Sequence, residues 1–351
     1  MEIQNNPPMM DTAELLRRKF SDLRGVSRVD FAPYGSLTSD SIAAMEEMRG
    51  LVPAVKCFLG CSTGSGGVKS LDELRQLFSA AAAAGHKVVA HCEDDGVMRR
   101  AADSANPDQA ERHDLMRPRE AELKSITDAI QVAAETGATL HVFHVSTGAG
   151  VELVLAAAAA GQPVTCTTAP HYLLVEAEEA AAMAENRFKV NPSIKYSTDR
   201  DLLIQLLGEE KIQGVGTDHA PHPLSEKARP YSKAPSGFPS IDLLLPLMIS
   251  VHDRFGLSLE RALAAVTRDP AVEFGLARKG RLEVGADADL VSCDPELRQV
   301  VDQARLPSKS KWSPYHGRQL RAFPQQVWLR GRKVFADGAP VGEPCGEPLF
   351  G

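Results

Sequence analysis

The sequence predicts an α/β protein built on a parallel (β/α)8-type barrel of which about six strands are present, followed by the remnant of a small β-sandwich. Three observations carry this prediction. Short apolar runs alternate with amphipathic stretches through residues 1–275, the pattern of a parallel sheet with crossover helices. Polar residues with chemistry to offer gather where those apolar runs end, and a parallel barrel places its chemistry at the carboxyl ends of its strands. After Phe274 the texture changes to short strand-like runs separated by turns, which assigns residues 276–351 to the sandwich.

The strands expected are residues 29–32, 54–59, 87–91, 140–145, 163–166 and 212–217. Between them, apolar residues recur at helical spacing over 12–23, 41–49, 71–84, 120–135 and 150–160. Asp11, Ser39 and Ser70 are placed to cap helices, and Gly85, Gly137 and Gly161 to stop them. A closed barrel has eight strands, so two positions are left unassigned. In the tail, residues 280–291 and 326–335 read as strands with turns.

The chain has 351 residues and a net charge of -7, which argues against a nucleic-acid footprint. Its longest apolar stretch, 151–160, is too short to cross a bilayer, and the polar opening has no signal-peptide pattern. None of the six cysteines forms a Cys-x-x-Cys pair. Reduced thiols and a cytoplasmic location are therefore expected, with Cys57 and Cys61 structural rather than metal-binding.

Four residues stand out. Lys56 lies within an apolar strand, where desolvation penalises an ammonium. Pairing with a buried carboxylate is one resolution; reaction with carbon dioxide to a metal-bridging carbamate is another. His91 closes one apolar run, and His141 and His144 lie on the next. Side chains alternate along a strand, so only one of the latter two should face inward, and His144, nearer the end, is the choice. A lone histidine is more often a core or surface residue than a ligand, but two of them at strand ends make the readings even, and neutral imidazole is the commonest metal ligand. Asp218 ends the run Gly214-Val215-Gly216-Thr217-Asp218-His219-Ala220-Pro221-His222. It is placed either to cap a loop or to move a proton from attacking water to a leaving nitrogen. His222 could donate to a substrate carboxylate, and His219 could cap the loop.

Taken in order, Lys56, His91, His144 and Asp218 resemble the amidohydrolase superfamily, and within it the dihydroorotase and cyclic amidohydrolase branch. The resemblance covers most of the chain. Val55-Lys56-Cys57-Phe58-Leu59-Gly60 resembles the carbamate-lysine strand, Ala90-His91-Cys92-Glu93-Asp94 and His144-Val145-Ser146-Thr147 the two single-histidine strands, and Lys189-Val190-Asn191-Pro192 the substrate-asparagine segment. Asp218-His219-Ala220-Pro221-His222 is the most specific piece and favours dihydroorotase over hydantoinase. Residues 234–239 resemble the substrate loop that follows, and 285–291 the flanking sandwich.

The resemblance implies a carboxylated Lys56 bridging two zinc ions, His91 and His144 on the second zinc, and Asp218 on the first as acid-base. It places Asn5, Asn191 and His222 against the substrate. The implied reaction is hydrolysis of a cyclic ureide, dihydroorotate to N-carbamoyl-aspartate, with allantoinase or hydantoinase chemistry as the alternative. A non-catalytic partner of aspartate transcarbamoylase is the alternative from another class.

The family's first strand carries a His-x-His pair and an arginine, whereas this chain has no histidine before His86. The first zinc would then keep only the carbamate and Asp218, where catalytic zinc normally has three protein ligands. One zinc or none is expected here, from a truncated gene product or gene model. Lys195 stands where the family usually has arginine, losing bidentate hydrogen bonding. Exposed parallel edges make a homo-oligomer the expected state.

Overall fold

The computed structural model describes residues 1–4, 7–62 and 66–351. Its centre is a five-stranded parallel sheet in the order β1 (Gly35–Ser36), β2 (Val55–Phe58), β3 (Lys87–His91), β4 (Thr139–Val142) and β5 (Val164–Cys166). Helix α1 (Ala13–Leu23) precedes β1, and α2 (Leu71–Ala83), α3 (Asp95–Ser104), α4 (His113–Met116), α5 (Arg119–Thr136) and α6 (Gly148–Ala159) lie in the crossovers between β2 and β5. After β5 comes the short helix α7 (Pro170–Leu174).

Local chemistry sets the helix ends. Ser70 accepts from the Glu73 amide to open α2, and Gly137, at φ 71°, closes α5 in the left-handed conformation that glycine adopts without strain. The cap of α1 is Thr12, one residue later than the expected Asp11, because the Thr12 side chain receives the Leu15 amide. The helix expected over 41–49 is instead two 3-10 turns, Ser39–Ala44 and Glu46–Met48. There the Ser41 hydroxyl bonds both the amide and the carbonyl of Thr38, which closes a tighter turn than an α-helix has.

The sheet departs from the sequence expectation at both edges. The first strand lies at Gly35–Ser36 rather than 29–32, because Phe31 is taken up by a parallel bridge to Pro348. Glu2 bridges Pro33 in parallel and so adds a further position on that side. At the opposite edge, the run over 212–217 pairs through one bridge, Thr168 to Val215, with Gly216 N–H donating to the Thr168 carbonyl at 2.9 Å. Gly214 at φ 151° and Gly216 on either side of Val215 keep this run from forming a longer ladder.

Strand alternation divides the interior in two. Val55, Cys57, Val88, Ala90, Leu140 and Val142 face outward into the large core beneath the helices. The inner face carries Lys56, Val89, His141 and Thr165 as one registered row. Tyr34, Ala54, Val89 and Phe274, with Ile3 and Phe143, fill the inside below the mouth. There Glu273 accepts from Lys87 at 2.5 Å and Thr165 at 2.8 Å, and its carboxylate lies 3.1 Å from His141 Nδ1.

The tail forms a four-stranded antiparallel sheet, in the order β11 (Ala339–Pro340), β10 (Arg332–Ala336), β9 (Pro324–Leu329) and β6 (Leu290–Cys293). A separate pair joins β7 (Arg298–Val300) to β8 (Gln319–Arg321). Between β7 and β8 the chain returns to the barrel: Val301, Trp312 and Tyr315 are buried in the large core. Trp312 Nε1 donates to the His222 carbonyl at 2.7 Å. No helix among the described residues is long and apolar enough to cross a membrane.

Candidate active site

Lys56 sits on the inner face of β2, buried, with its Nζ 4.7 Å from the ring centroids of both Phe58 and Phe143. It has no hydrogen-bond partner among the described residues. Burial lowers its pKa to about 8, opposed by the charge of Asp218. That shift enlarges the neutral, nucleophilic fraction of the amine near physiological pH, and it is the neutral amine that carbamate formation requires.

His91 ends β3 on the same inner face. Its Nδ1 lies 3.3 Å from Nε2 of His144. Bonds of about 2.0–2.1 Å to one tetrahedral zinc would set two nitrogens about 3.3–3.4 Å apart. The pair therefore has the spacing of one edge of a metal tetrahedron, and both imidazoles are driven toward the neutral, ligating form. Burial lowers His91, with Glu93 opposing, and lowers His144 further, with Lys56 and His91 adding to the effect.

The alternation argument for His141 and His144 is corrected here. Both reach the inside. His141 lies in the inner row beside Thr165, as alternation demands. His144 reaches the same side because β4 has already ended at Val142 and the backbone at His144 turns left-handed, at φ 42°. Asp218 adopts the same unusual conformation, at φ 46°. Non-glycine residues held there are sparse and cluster at functional sites.

Burial raises the Asp218 carboxyl to about 6, with Lys56 opposing. Asp218 does not join the two histidines in one compact cluster. Among the described residues, the group of three His, Cys, Asp or Glu ligand atoms within 4.8 Å of one another is Asp30, Asp287 and Asp289. That trio already surrounds the Lys279 ammonium, at 2.6–2.9 Å. Asp218 is thus set apart from the imidazole pair while remaining within the electrostatic reach of Lys56.

Asn191 lies near the mouth, largely buried, with Nδ2 3.4 Å from the Ser62 hydroxyl. His222 is half-buried, its Nε2 3.2 Å from the Ser236 carbonyl. His219 is engaged with the backbone: its Nδ1 receives the amides of Ser240 and Ile241 and so caps the turn Ile241–Leu243. Asn5 lies outside the described residues. Lys195 is buried and donates to the Arg117 carbonyl and the Ser193 hydroxyl.

Several residues that surround the site have no pattern in the sequence to announce them. Glu93, fully buried, lies 3.0 Å from Nε2 of His91 on the ring edge away from His144. Desolvation would raise its carboxyl, but Arg117 and His91 overcome this and hold it at about 2. Arg117 bonds Glu93 and, through Nη2, the Cys61 carbonyl at 2.8 Å. Glu122 of α5 receives the Ser146 amide and the hydroxyls of Ser146 and Thr147, clamping the turn that follows His144. Glu93 follows His91 by two residues, but β3 has ended at His91, so strand alternation does not place it.

Comparison with known proteins places this geometry. Residues 64–333 match the model of the amidohydrolase family. A dihydroorotase from Halobacterium salinarum is 34% identical over 337 residues, which cover 96% of this chain and 77% of that protein. An allantoinase from Rubrobacter xylanophilus is 34% identical over 356 residues, covering 99% of this chain and 77% of that protein. The solved structure of L-hydantoinase (dihydropyrimidinase) from Arthrobacter aurescens superimposes with a TM-score of 0.87 at 27% identity, covering 97% of this chain and 78% of that one.

Proposed function

The chain belongs to the amidohydrolase family and is a hydrolase acting on cyclic amides, and from that premise we propose that its substrate is dihydroorotate, opened to N-carbamoyl-aspartate as a step of pyrimidine synthesis. The observation that carries the chemistry is the facing pair His91 Nδ1 and His144 Nε2, 3.3 Å apart beside a buried, unpartnered Lys56. The choice of ring rests on the Asp218-His219-Ala220-Pro221-His222 run.

The family generally uses a metal, commonly zinc, and the donor set here fits one. His91 and His144 would hold it together with Lys56 as a carbamate, while Asp218, set apart from the imidazole pair, is left to act as the acid-base. When bound, such an ion lowers the pKa of water and polarises the amide carbonyl. The chain's own residues supply the rest. Asp218, raised to about 6, takes a proton from the attacking water as the carbon–oxygen bond forms. As the ring carbon–nitrogen bond breaks, the same carboxyl delivers that proton to the leaving nitrogen. Asn191 and His222 orient the ring at the mouth.

The test compares turnover of dihydroorotate, allantoin and a hydantoin by the same preparation, since the dihydroorotase and allantoinase relatives stand at equal identity. Fastest turnover of dihydroorotate is expected, and faster turnover of allantoin would overturn the choice of ring. A metal-free chain that co-purifies with a transcarbamoylase would instead support a non-catalytic partner.

A further inference from the structure

His113, at the start of α4, is absent from every motif above, yet it joins two parts of the mouth. Its Nε2 lies 2.9 Å from the Val190 carbonyl and 3.0 Å from Oδ1 of Asn191. Its Nδ1 lies 2.7 Å from the Tyr231 hydroxyl. A carbonyl oxygen only accepts, so the Val190 contact requires the proton on Nε2. Nδ1 is then bare and accepts from the Tyr231 hydroxyl. The same Nε2–H is shared with Asn191, which fixes the side-chain oxygen of Asn191 toward His113 and turns its NH2 toward Ser62 and the mouth. Burial, reinforced by Arg117 and Lys189, lowers the His113 pKa to about 3, so the neutral ring persists.

Tyr231 is itself held fast. Lys189 Nζ donates to the Tyr231 and Ala234 carbonyls at 2.6 and 2.7 Å and lies 4.1 Å from the centroid of the Tyr231 ring. Tyr231 belongs to the stretch between His222 and Phe238, so its hydroxyl ties that loop to Asn191 through one imidazole.

We propose that His113 is a positioning residue which commits Asn191 to act as a hydrogen-bond donor, so that the mouth selects rings presenting a carbonyl or carboxylate oxygen at that point, and which makes this commitment depend on Tyr231. The proposal rests on the reading of Asn191 as a substrate contact.

Two measurements test it. In 15N-labelled protein, the ring-nitrogen shifts of His113 should report a protonated Nε2 and a bare Nδ1; a proton on Nδ1 would overturn the proposal without reference to activity. The second is a binding cycle, with Kd for dihydroorotate, allantoin and a hydantoin measured by calorimetry. Loss of one neutral hydrogen bond in Tyr231→Phe should weaken binding about three- to tenfold. In an Asn191→Ala background the same change should alter Kd by less than about twofold, because the partner it positions is gone. His113→Phe, which removes both the Nε2–H donor and the acceptor for Tyr231, should weaken binding at least as much as Tyr231→Phe. Equal weakening by Tyr231→Phe in both backgrounds would make the network merely structural and sink the proposal. If Asn191→Ala binds as the parent does, or the parent binds none of the three rings, the substrate-contact reading itself falls and takes the proposal with it.

Discussion

Nδ1 of His91 faces Nε2 of His144 across 3.3 Å, while the opposite nitrogen of His91 lies 3.0 Å from Glu93. A carboxylate on the far ring nitrogen fixes the tautomer and leaves the near one free to ligate. Glu93→Gln should therefore weaken metal binding about ten- to hundredfold, measured by competition with a chelator. His91→Ala and His144→Ala should lower the metal found by elemental analysis. Unchanged metal content in both would contradict the assignment of the pair.

Asp218 carries the proton in the proposed reaction. Asp218→Asn should reduce turnover by about 10²- to 10⁴-fold, the usual contribution of a positioned acid-base group. The thermal midpoint should hold steady or rise, because the substitution removes a carboxyl that burial has already raised to about 6. A variant that keeps even about a tenth of parental turnover would rule out that role.

The close approach beside Glu93 depends on Gly60. A methyl group there would stand 2.0 Å from the Glu93 carbonyl oxygen. Gly60→Ala should cost about 1–3 kcal/mol of stability, as overpacking does, and should also weaken metal binding by shifting Glu93. Urea unfolding and the same chelator competition measure the two effects; a stable variant with parental affinity would show that the backbone can yield at this point.

How much of this was legible in the sequence follows the range of each interaction. Lys56 and His91 were legible because a lysine inside an apolar run and a histidine closing one are patterns carried by a few neighbouring residues. His144 was chosen over His141 by strand alternation, a reason that does not hold: a left-handed backbone, which no spacing encodes, brings it inward. Arg117 meets Glu93 from 24 residues away and Cys61 from 56, and His113 meets Asn191 from 78. Such partners are set by the fold, so no local pattern marks them. The strand at Gly35–Ser36 was missed for a related reason, since Phe31 pairs with residues more than 300 positions along the chain.

At the base of the barrel, Glu273 receives Lys87 and Thr165 and stands against His141; burial would raise its carboxyl, but His141 and Lys87 overcome this and lower it from 4.5 to about 2. A depressed carboxylate contributes stability at pH above its unfolded value and loses it as pH falls toward the folded one. Parent and Glu273→Gln should therefore differ most above about pH 5, and the difference should shrink between pH 4.5 and about 2. Urea unfolding across that range measures it. A gap that stays constant would mean the carboxylate contributes no pH-linked stability.

The indole of Trp312, belonging to a stretch that composition alone assigns to the tail, holds the carbonyl of His222. A chimaera that exchanged the tail of this chain for that of a relative at the change of texture near residue 275 would therefore sever a tether of the catalytic rim along with the sandwich. Modular recombination within this family should succeed only when the segment between β7 and β8 travels with the barrel it braces.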